Sequence, residues 1–534
     1  MSADVTSPVG AYAVGTRYPD RIAIVAPDGG TTSFGQLLER GNRLSNALRA
    51  LGLRDGDVVA FLLRNGPSFF EVALGVEQVG MYRVPINTHL TPAEVAYIVR
   101  DSGARVLVAS HDLAEALGPV LDDLGAHRIA VGGAVAGWHD YETWLAAADA
   151  GVPADRKAGA AMGYTSGTTG RPKGVRRPLT GIPPEGLLSV MVDVVLKPFG
   201  FRPLDGVHLV VAPLYHAAPN TFAVGALHLG HTVVVQPRFD AEAFLTTVAE
   251  HRVTSTHLVP THFHRLLELP MQARAAADLS TLKIVVAAGA PFPPKMKARA
   301  LGWLGPVIWE YLASTEGLVS VISPTEAVEH PGSVGRPADV KIFDNDGDPV
   351  AVGEEGLIYF PAGQPPFVYH NDPDKTAATV RADGYATAGD LGRIGEGGYL
   401  YLLDRRVDLI ITGGVNVYPA EVEQHILEHP AVEDVAVVGM PDAEWGQQVV
   451  AVVQLVDGKH GREQVSGELD AYCRASLTRA KCPRRYEFVD TLPRTETGKL
   501  LRRVIRDIFR LPNGRPDSSC ATPANYGSPK PRDR

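Results

Sequence analysis

Short runs of β-branched and aliphatic residues alternate with helix-periodic stretches along much of the chain, and this alternation restricts the fold more than any other feature. Residues 58–63 and 105–109 read as buried strands, and residues 68–79 between them as a helix. Upstream, Leu37, Leu44, Leu48 and Leu51 recur at helical spacing. Ser33-Phe-Gly-Gln36 before them has the form of a capping box, and Gly52 stops the helix. Further strands are expected at 207–212, 231–236, 255–259, 283–288 and 307–312, with helices at 222–229 and 241–251. Strands separated by helices of this length form parallel sheets with helices on their faces, a mixed α+β arrangement being the alternative.

The texture changes after Gly332. Asp344-Asn-Asp-Gly347 is a hairpin signal, and closely spaced short strands run to residues 398–403, as in an antiparallel β subdomain. Residues 418–511 carry their own helix at 420–428 and strands at 434–438 and 449–455, enough for a small α+β domain. Residues 512–534 are rich in Pro, Ser and Arg without apolar periodicity and are expected to be disordered.

Residues 164–175 read Tyr-Thr-Ser-Gly-Thr-Thr-Gly-Arg-Pro-Lys-Gly-Val. Glycines let a backbone approach a ligand closely, while hydroxyls and a lysine add donors around exposed N–H groups. That is the chemistry of a polyphosphate cradle. It is not a Walker A loop, since Arg171 follows Gly170. By composition alone a solvated linker fits equally well. Several of the expected strands end in loops holding Gly, Thr, His or Glu, and in open α/β sheets ligands sit outside the carboxyl ends of the strands.

Composition narrows the remaining classes. The chain has 534 residues, 45% hydrophobic and 21% charged, with net charge −9 and no basic block to recruit nucleic acid. Cys473, Cys482 and Cys520 make neither a disulfide framework nor a paired metal-binding motif. No secretory leader or spanning run of about 18 apolar residues is apparent, so a cytoplasmic location is expected, with peripheral membrane contact and oligomeric state left open.

Taken together with five companion motifs in order, the Gly/Thr stretch resembles the adenylate-forming superfamily of acyl-CoA synthetases, firefly luciferase and peptide-synthetase adenylation domains, and most of all a bacterial fatty-acyl-CoA ligase. The likeness spans roughly residues 19–511. It implies a large N-terminal AMP-binding domain at 1–404, with helix-flanked, mostly parallel sheets and the β subdomain, and a small mobile C-terminal domain at 405–511. It implies that Thr165, Ser166, Gly167, Thr168, Thr169, Gly170 and Lys173 hold the ATP β- and γ-phosphates. Thr315 would contact the α-phosphate and Glu316 bind Mg²⁺. Gly289, Ala290 and Pro291 would lie along the adenine. Asp390 and Arg405 would reach the ribose, and Lys499, in Pro493-Arg-Thr-Glu-Thr-Gly-Lys499, would act in adenylation.

The implied activity is an acid–thiol ligation using ATP, Mg²⁺ and coenzyme A. A carboxylate displaces pyrophosphate to give acyl-AMP, and the small domain then rotates to present Gly413 and Gly414 to coenzyme A. Passing the acyl group to a carrier protein, luciferase-like oxidation and a non-catalytic nucleotide-binding role are the alternatives. Three positions depart from the family. Leu312-Ala313 stands where Tyr-Gly, with its tyrosine stacked on adenine, is usual, and the resemblance puts Leu312 and the adjacent Tyr311 along the adenine. Val407 occupies the hinge position. His216 stands where amino-acid-activating relatives carry aspartate. The acid site is expected near His216, Ala217 and Gly289. Ala217, Ala218, Ala223, Gly225 and Ala226 either leave room for a medium- or long-chain, aryl or polycyclic acid or serve close helix packing.

Overall fold

The structure, a computed structural model, describes residues 10–120, 125–165, 172–290, 292–364, 366–442, 444–456, 462–495 and 498–509. Ser166, Gly167, Thr168, Thr169, Gly170 and Pro291, and the expected tail at 512–534, lie outside the described residues. The chain divides into two compact units. One comprises Met1–Ala288, Met296–Glu329 and Pro361–Ala386; the other comprises Gly289–Lys295, His330–Phe360 and Thr387–Arg534.

The first unit contains two large sheets. In the eight-stranded sheet the order is Gly317–Ile322, Ile308–Ser314, Ile284–Ala287, Ser255–Leu258, Val207–Val210, Thr232–Val235, Ile22–Val25 and Thr31–Ser33. Its inner pairs are parallel and only its two edges are antiparallel. The six-stranded sheet, from His139–Asp140 through Ala104–Ser110 and Val58–Leu62 to Ala160–Ala161, is parallel throughout. Parallel strands covered on both faces are apolar along their length, and Val58–Leu62 is buried at every position.

One apolar cluster joins the two sheets. It takes Ile24, Val210 and Val233 from one, Val59, Phe61 and Val106 from the other, and Leu44, Phe70 and Ala226 from helices packed with them. Helix Phe34–Ala50 begins as its sequence dictates: the Ser33 side chain accepts from the Gln36 N–H, and the Gln36 side chain accepts from the Ser33 N–H. Helix Pro67–Glu77 lies so close to it that a methyl group at Gly75 would stand 2.6 Å from Leu44 Cδ2 and 2.9 Å from the Gly41 carbonyl oxygen.

The second unit is largely antiparallel. Lys341–Phe343, Gly356–Pro361, Asp390–Ile394 and Leu400–Arg405 form a ladder. At the expected turn, Asp344 Oδ1 accepts from the N–H groups of Asp346 and Asp348. A second sheet is built on the long pair Val432–Asp442 and Gly446–Leu455. Alternation along this pair feeds two clusters. Val435 and Val437 face helices Pro419–Ile426 and Arg462–Ser476, while Ala436 and Val438 face helix Arg502–Phe509. Among the described residues, no helix is long and apolar enough to cross a membrane.

Because backbone and a branched side chain crowd Gly75 on two sides, Gly75→Ala is expected to destabilise the protein by about 1–3 kcal/mol, read as a lower denaturation midpoint. An unchanged midpoint would mean that the two helices separate freely.

Candidate active site

The described residues on either side of the Gly/Thr stretch pair as antiparallel strands. Gly163–Thr165 pairs with Lys173–Arg176, with Thr165 opposite Lys173. The same Lys173–Arg176 strand pairs on its other side with Val368–Tyr369, with Val175 opposite Tyr369. The Tyr97 hydroxyl donates to the Pro172 carbonyl at 3.2 Å, and the Tyr164 hydroxyl to Asp101 at 2.7 Å. Lys173 forms an ion pair with Asp372, whose other carboxylate oxygen accepts the Lys375 N–H. The lysine bond holds the Asp372 carboxyl below its usual range.

Thr315 and Glu316 are the two residues between Ser314 and Gly317, which pair across strands Ile308–Ser314 and Gly317–Ile322. The pair therefore stands at the carboxyl end of a strand of the parallel sheet. Glu316 is 7% exposed. Its Oε1 accepts from the Tyr369 hydroxyl at 2.7 Å, and its backbone carbonyl accepts from Arg177. A methyl group at Gly163 would lie 3.0 Å from Thr315 Cγ2, so the Thr-Glu turn sits directly against the strand that enters the loop. No cluster of three His, Cys, Asp or Glu side chains able to hold a metal occurs among the described residues. One buried carboxylate beside a hydroxyl suits Mg²⁺, which keeps several waters and takes most other ligands from substrate phosphates.

On the acid side, His216 occupies the N-cap position of helix Ala217–His228 and Ala217 is exposed. Two points of side-chain placement are decided here. Ala223 and Ala226 are fully buried in the core, and a methyl group at Gly225 would meet Leu196 Cδ1 at 2.8 Å. Ala223 and Ala226 therefore serve core packing, and Gly225 serves close approach to the π-helical turn Val192–Leu196. Tyr311, expected along the adenine, points into a cluster of rings. It lies edge-on to Phe199 at 5.7 Å, near Phe222 at 5.7 Å, with its hydroxyl 3.5 Å from His257 Nε2. Strand alternation sends its neighbour Leu312 to the opposite face. His257 is buried, and burial, then His216, lowers its pKa to about 4, so it is neutral at pH 7.

In the second unit, Gly289 follows strand Ile284–Ala287 in the chain with φ at +93°, and Ala290 is half-buried. Asp390 and Arg405 are direct partners across an antiparallel ladder, with Arg405 Nε 3.2 Å from Asp390 Oδ1. Lys499 stands on a tight turn whose chemistry explains its motif. The Thr495 hydroxyl accepts the Lys499 N–H at 3.1 Å, the Thr495 N–H donates to the Lys499 carbonyl, and Gly498 supplies φ of +76°. Arg494 anchors the turn with two bonds to Asp434, at 2.8 and 2.7 Å. Gly413 and Gly414 form the turn between Ile410–Thr412 and Val415–Val417, both at positive φ. A methyl group at Gly413 would strike the Trp445 ring at 2.5 Å, whereas Gly414 faces open space. Val407 is 56% exposed.

Residues 12–363 match the model of the AMP-binding enzyme family, and residues 421–499 match that of the AMP-binding enzyme C-terminal domain. The chain belongs to the AMP-binding enzyme family. It is 36% identical over 494 residues to a feruloyl-CoA synthase of Amycolatopsis sp., covering 90% of this chain and 95% of the relative. It is 32% identical over 488 residues to a long-chain-fatty-acid–CoA ligase of Mycobacterium tuberculosis, covering 89% and 93%. Among solved structures, ATP-bound MatB from Rhodopseudomonas palustris is similar with a TM-score of 0.81 and 28% identity, over 94% of this chain and 99% of that one. The expected superfamily and two-part α/β architecture are thereby established.

Within this family member, three side chains around Glu316 and Lys173 escaped the sequence reading: Tyr369, Asp372 and Arg177. None sits in a glycine- or hydroxyl-rich stretch, and only the pairing of distant strands brings them to the site. The clearest electrostatic feature is Lys499. Burial first, then the like charge of Arg405, lowers its pKa to about 8, with Asp408 and Asp390 acting in the opposite sense. The uncharged amine is the form that reacts with acylating reagents. Lys499 is therefore expected to become reactive as pH rises through about 8, well before lysines near the ordinary 10.5, as peptide mapping after pulse labelling would record. Labelling that begins only with the bulk lysines would refute the shift.

Proposed function

We propose that the protein is an ATP-dependent acid–coenzyme A ligase that activates an aromatic carboxylic acid as acyl-AMP and transfers it to the coenzyme A thiol, releasing AMP and pyrophosphate. What carries the activity is the near end-to-end likeness to a family whose reported relatives are CoA ligases, in a chain that keeps Thr315, Glu316, Asp390, Arg405 and Lys499.

In this reading Thr165 and Lys173, with the hydroxyls and glycines of Ser166–Gly170, bind the β- and γ-phosphates. Asp390 accepts from the ribose hydroxyls, and Arg405 holds Asp390 and the ribose. Gly289, Ala290 and Leu312 form the adenine side. Thr315 donates to the α-phosphate, and Glu316 holds Mg²⁺, which when bound neutralises charge on the phosphates of the leaving pyrophosphate. The Lys499 ammonium faces the α-phosphoryl group as the substrate carboxylate attacks, so that a fixed cation meets the charge that develops there. Domain 1–404 carries the acid site and, apart from Arg405 and Lys499, the ATP site. Domain 405–511 turns about Val407, withdraws Lys499 and brings Gly413 and Gly414 to the pantetheine arm.

The substrate class rests on the 36% identity with a feruloyl-CoA synthase. Phe199, Phe222, His257 and Tyr311 form a buried cluster of rings, with His216 near His257, and rings of this kind pack favourably against aryl groups. Acyl-CoA formation across a panel of carboxylic acids tests this directly. Hydroxylated aryl acids are expected to lead, and a preference for acetate would overturn the assignment. Acid-dependent pyrophosphate release with no acyl-CoA formed would instead move the acceptor to a carrier protein.

Two further outcomes follow from Lys499. Lys499→Ala is expected to abolish ATP–pyrophosphate exchange while sparing thioester formation from supplied acyl-adenylate; equal loss of both would contradict its role. Since the charged form is the active one and its pKa is lowered, exchange should be sustained below about pH 8 and fall as pH rises through it. An exchange rate flat to pH 10 would rule out a titrating Lys499.

A further inference from the structure

We infer that Tyr369 is a positioning residue for the metal step: its hydroxyl holds the Glu316 carboxylate in the orientation that receives Mg²⁺. This rests on the reading of Glu316 as the metal-binding carboxylate and goes beyond it, because nothing in the motifs assigns Tyr369 a part.

Tyr369 is 4% exposed, and its hydroxyl donates to Glu316 Oε1 at 2.7 Å. One carboxylate oxygen is thus engaged by a neutral donor, which fixes the plane of the group while leaving its charge intact.

The tyrosine is itself held from three sides. Its N–H donates to Thr376 Oγ1 at 2.9 Å, and the Lys375 ammonium lies 3.9 Å from its ring centroid. Its backbone pairs with Val175 on the strand that leaves the phosphate loop. On that same strand Lys173 pairs with Asp372, three residues beyond Tyr369. The short segment 369–372 therefore grips the strand carrying the loop lysine at one end and the metal carboxylate at the other. A ligand carboxylate oriented by such an outer partner binds its ion more tightly, and loss of the partner typically lowers metal affinity about 10–100-fold.

The test is calorimetric binding of the non-hydrolysable nucleotide α,β-methylene-ATP to the full chain, with Mg²⁺ and with EDTA. In the native protein Mg²⁺ is expected to tighten binding. In Tyr369→Phe, which removes only the hydroxyl, that Mg²⁺-linked gain should shrink about tenfold while metal-free affinity and thermal midpoint stay native. An undiminished gain in a folded Tyr369→Phe protein would overturn the inference. Glu316→Gln, measured in parallel, separates the two claims. If it keeps the full gain, the metal reading of Glu316 fails. If it loses the gain while Tyr369→Phe keeps it, only the positioning role fails. Should Tyr369→Phe not fold, Glu316→Asp withdraws the carboxylate from the hydroxyl at constant charge. An undiminished gain there would equally overturn the proposal.

Discussion

The strand Lys173–Arg176 is paired on both edges, and the placement of Lys173, Arg177 and Tyr369 around Glu316 depends on that. One edge binds the strand that enters the loop, the other binds Val368–Tyr369. A doubly paired strand has its backbone donors and acceptors satisfied and its register set from two sides. Lys173, at its start, is thereby placed across from Thr165. Arg177, immediately past its end, donates to the carbonyl of Glu316. Tyr369, on the outer strand, reaches the carboxylate of the same residue. The loop strands and the Thr315–Glu316 turn are thus linked by two side chains, Arg177 just beyond the end of one paired strand and Tyr369 carried on the other.

The second unit solves a different problem: it carries a cation among other charges. Arg502 bonds Glu423 at 2.6 Å and lies 3.5 Å from Asp408, which Arg506 also approaches. Glu423 in turn accepts the Val437 N–H at 2.7 Å. Buried charges persist only when paired and hydrogen-bonded, and these pairs fix helix Arg502–Phe509 just beyond the Lys499 turn. Lys499 feels Arg405 and Arg502 against Asp408 and Asp390. The balance leaves an ammonium that is charged at neutral pH on an exposed turn, its pKa lowered to about 8.

Much of this was legible in the chain. The capping box at Ser33 and Gln36 formed as written, because it depends on four consecutive residues. The strands at 58–62, 207–210, 255–258 and 284–287 arose where apolar runs were short and flanked by helices. Asp344–Gly347 turned the chain as its composition demands. Other points were open in the chain for equally physical reasons. Ala223 and Ala226 are small because the core presses on them and Gly225 because Leu196 does, and residue size alone cannot tell a filled contact from a cavity. The direction of Tyr311 was not legible because its face of the strand depends on register with neighbouring strands.

The sequence by itself determined the types of the elements, the family and the residues whose chemistry suits ATP, since periodicity and motifs are local properties of the chain. Only the tertiary structure decided which side chains orient those residues. Tyr369 and Glu316 are 53 positions apart, and Lys173 and Asp372 are 199 apart. Such encounters follow from strand order and register, which are set by the burial of whole sheets and leave no mark on the few residues that meet.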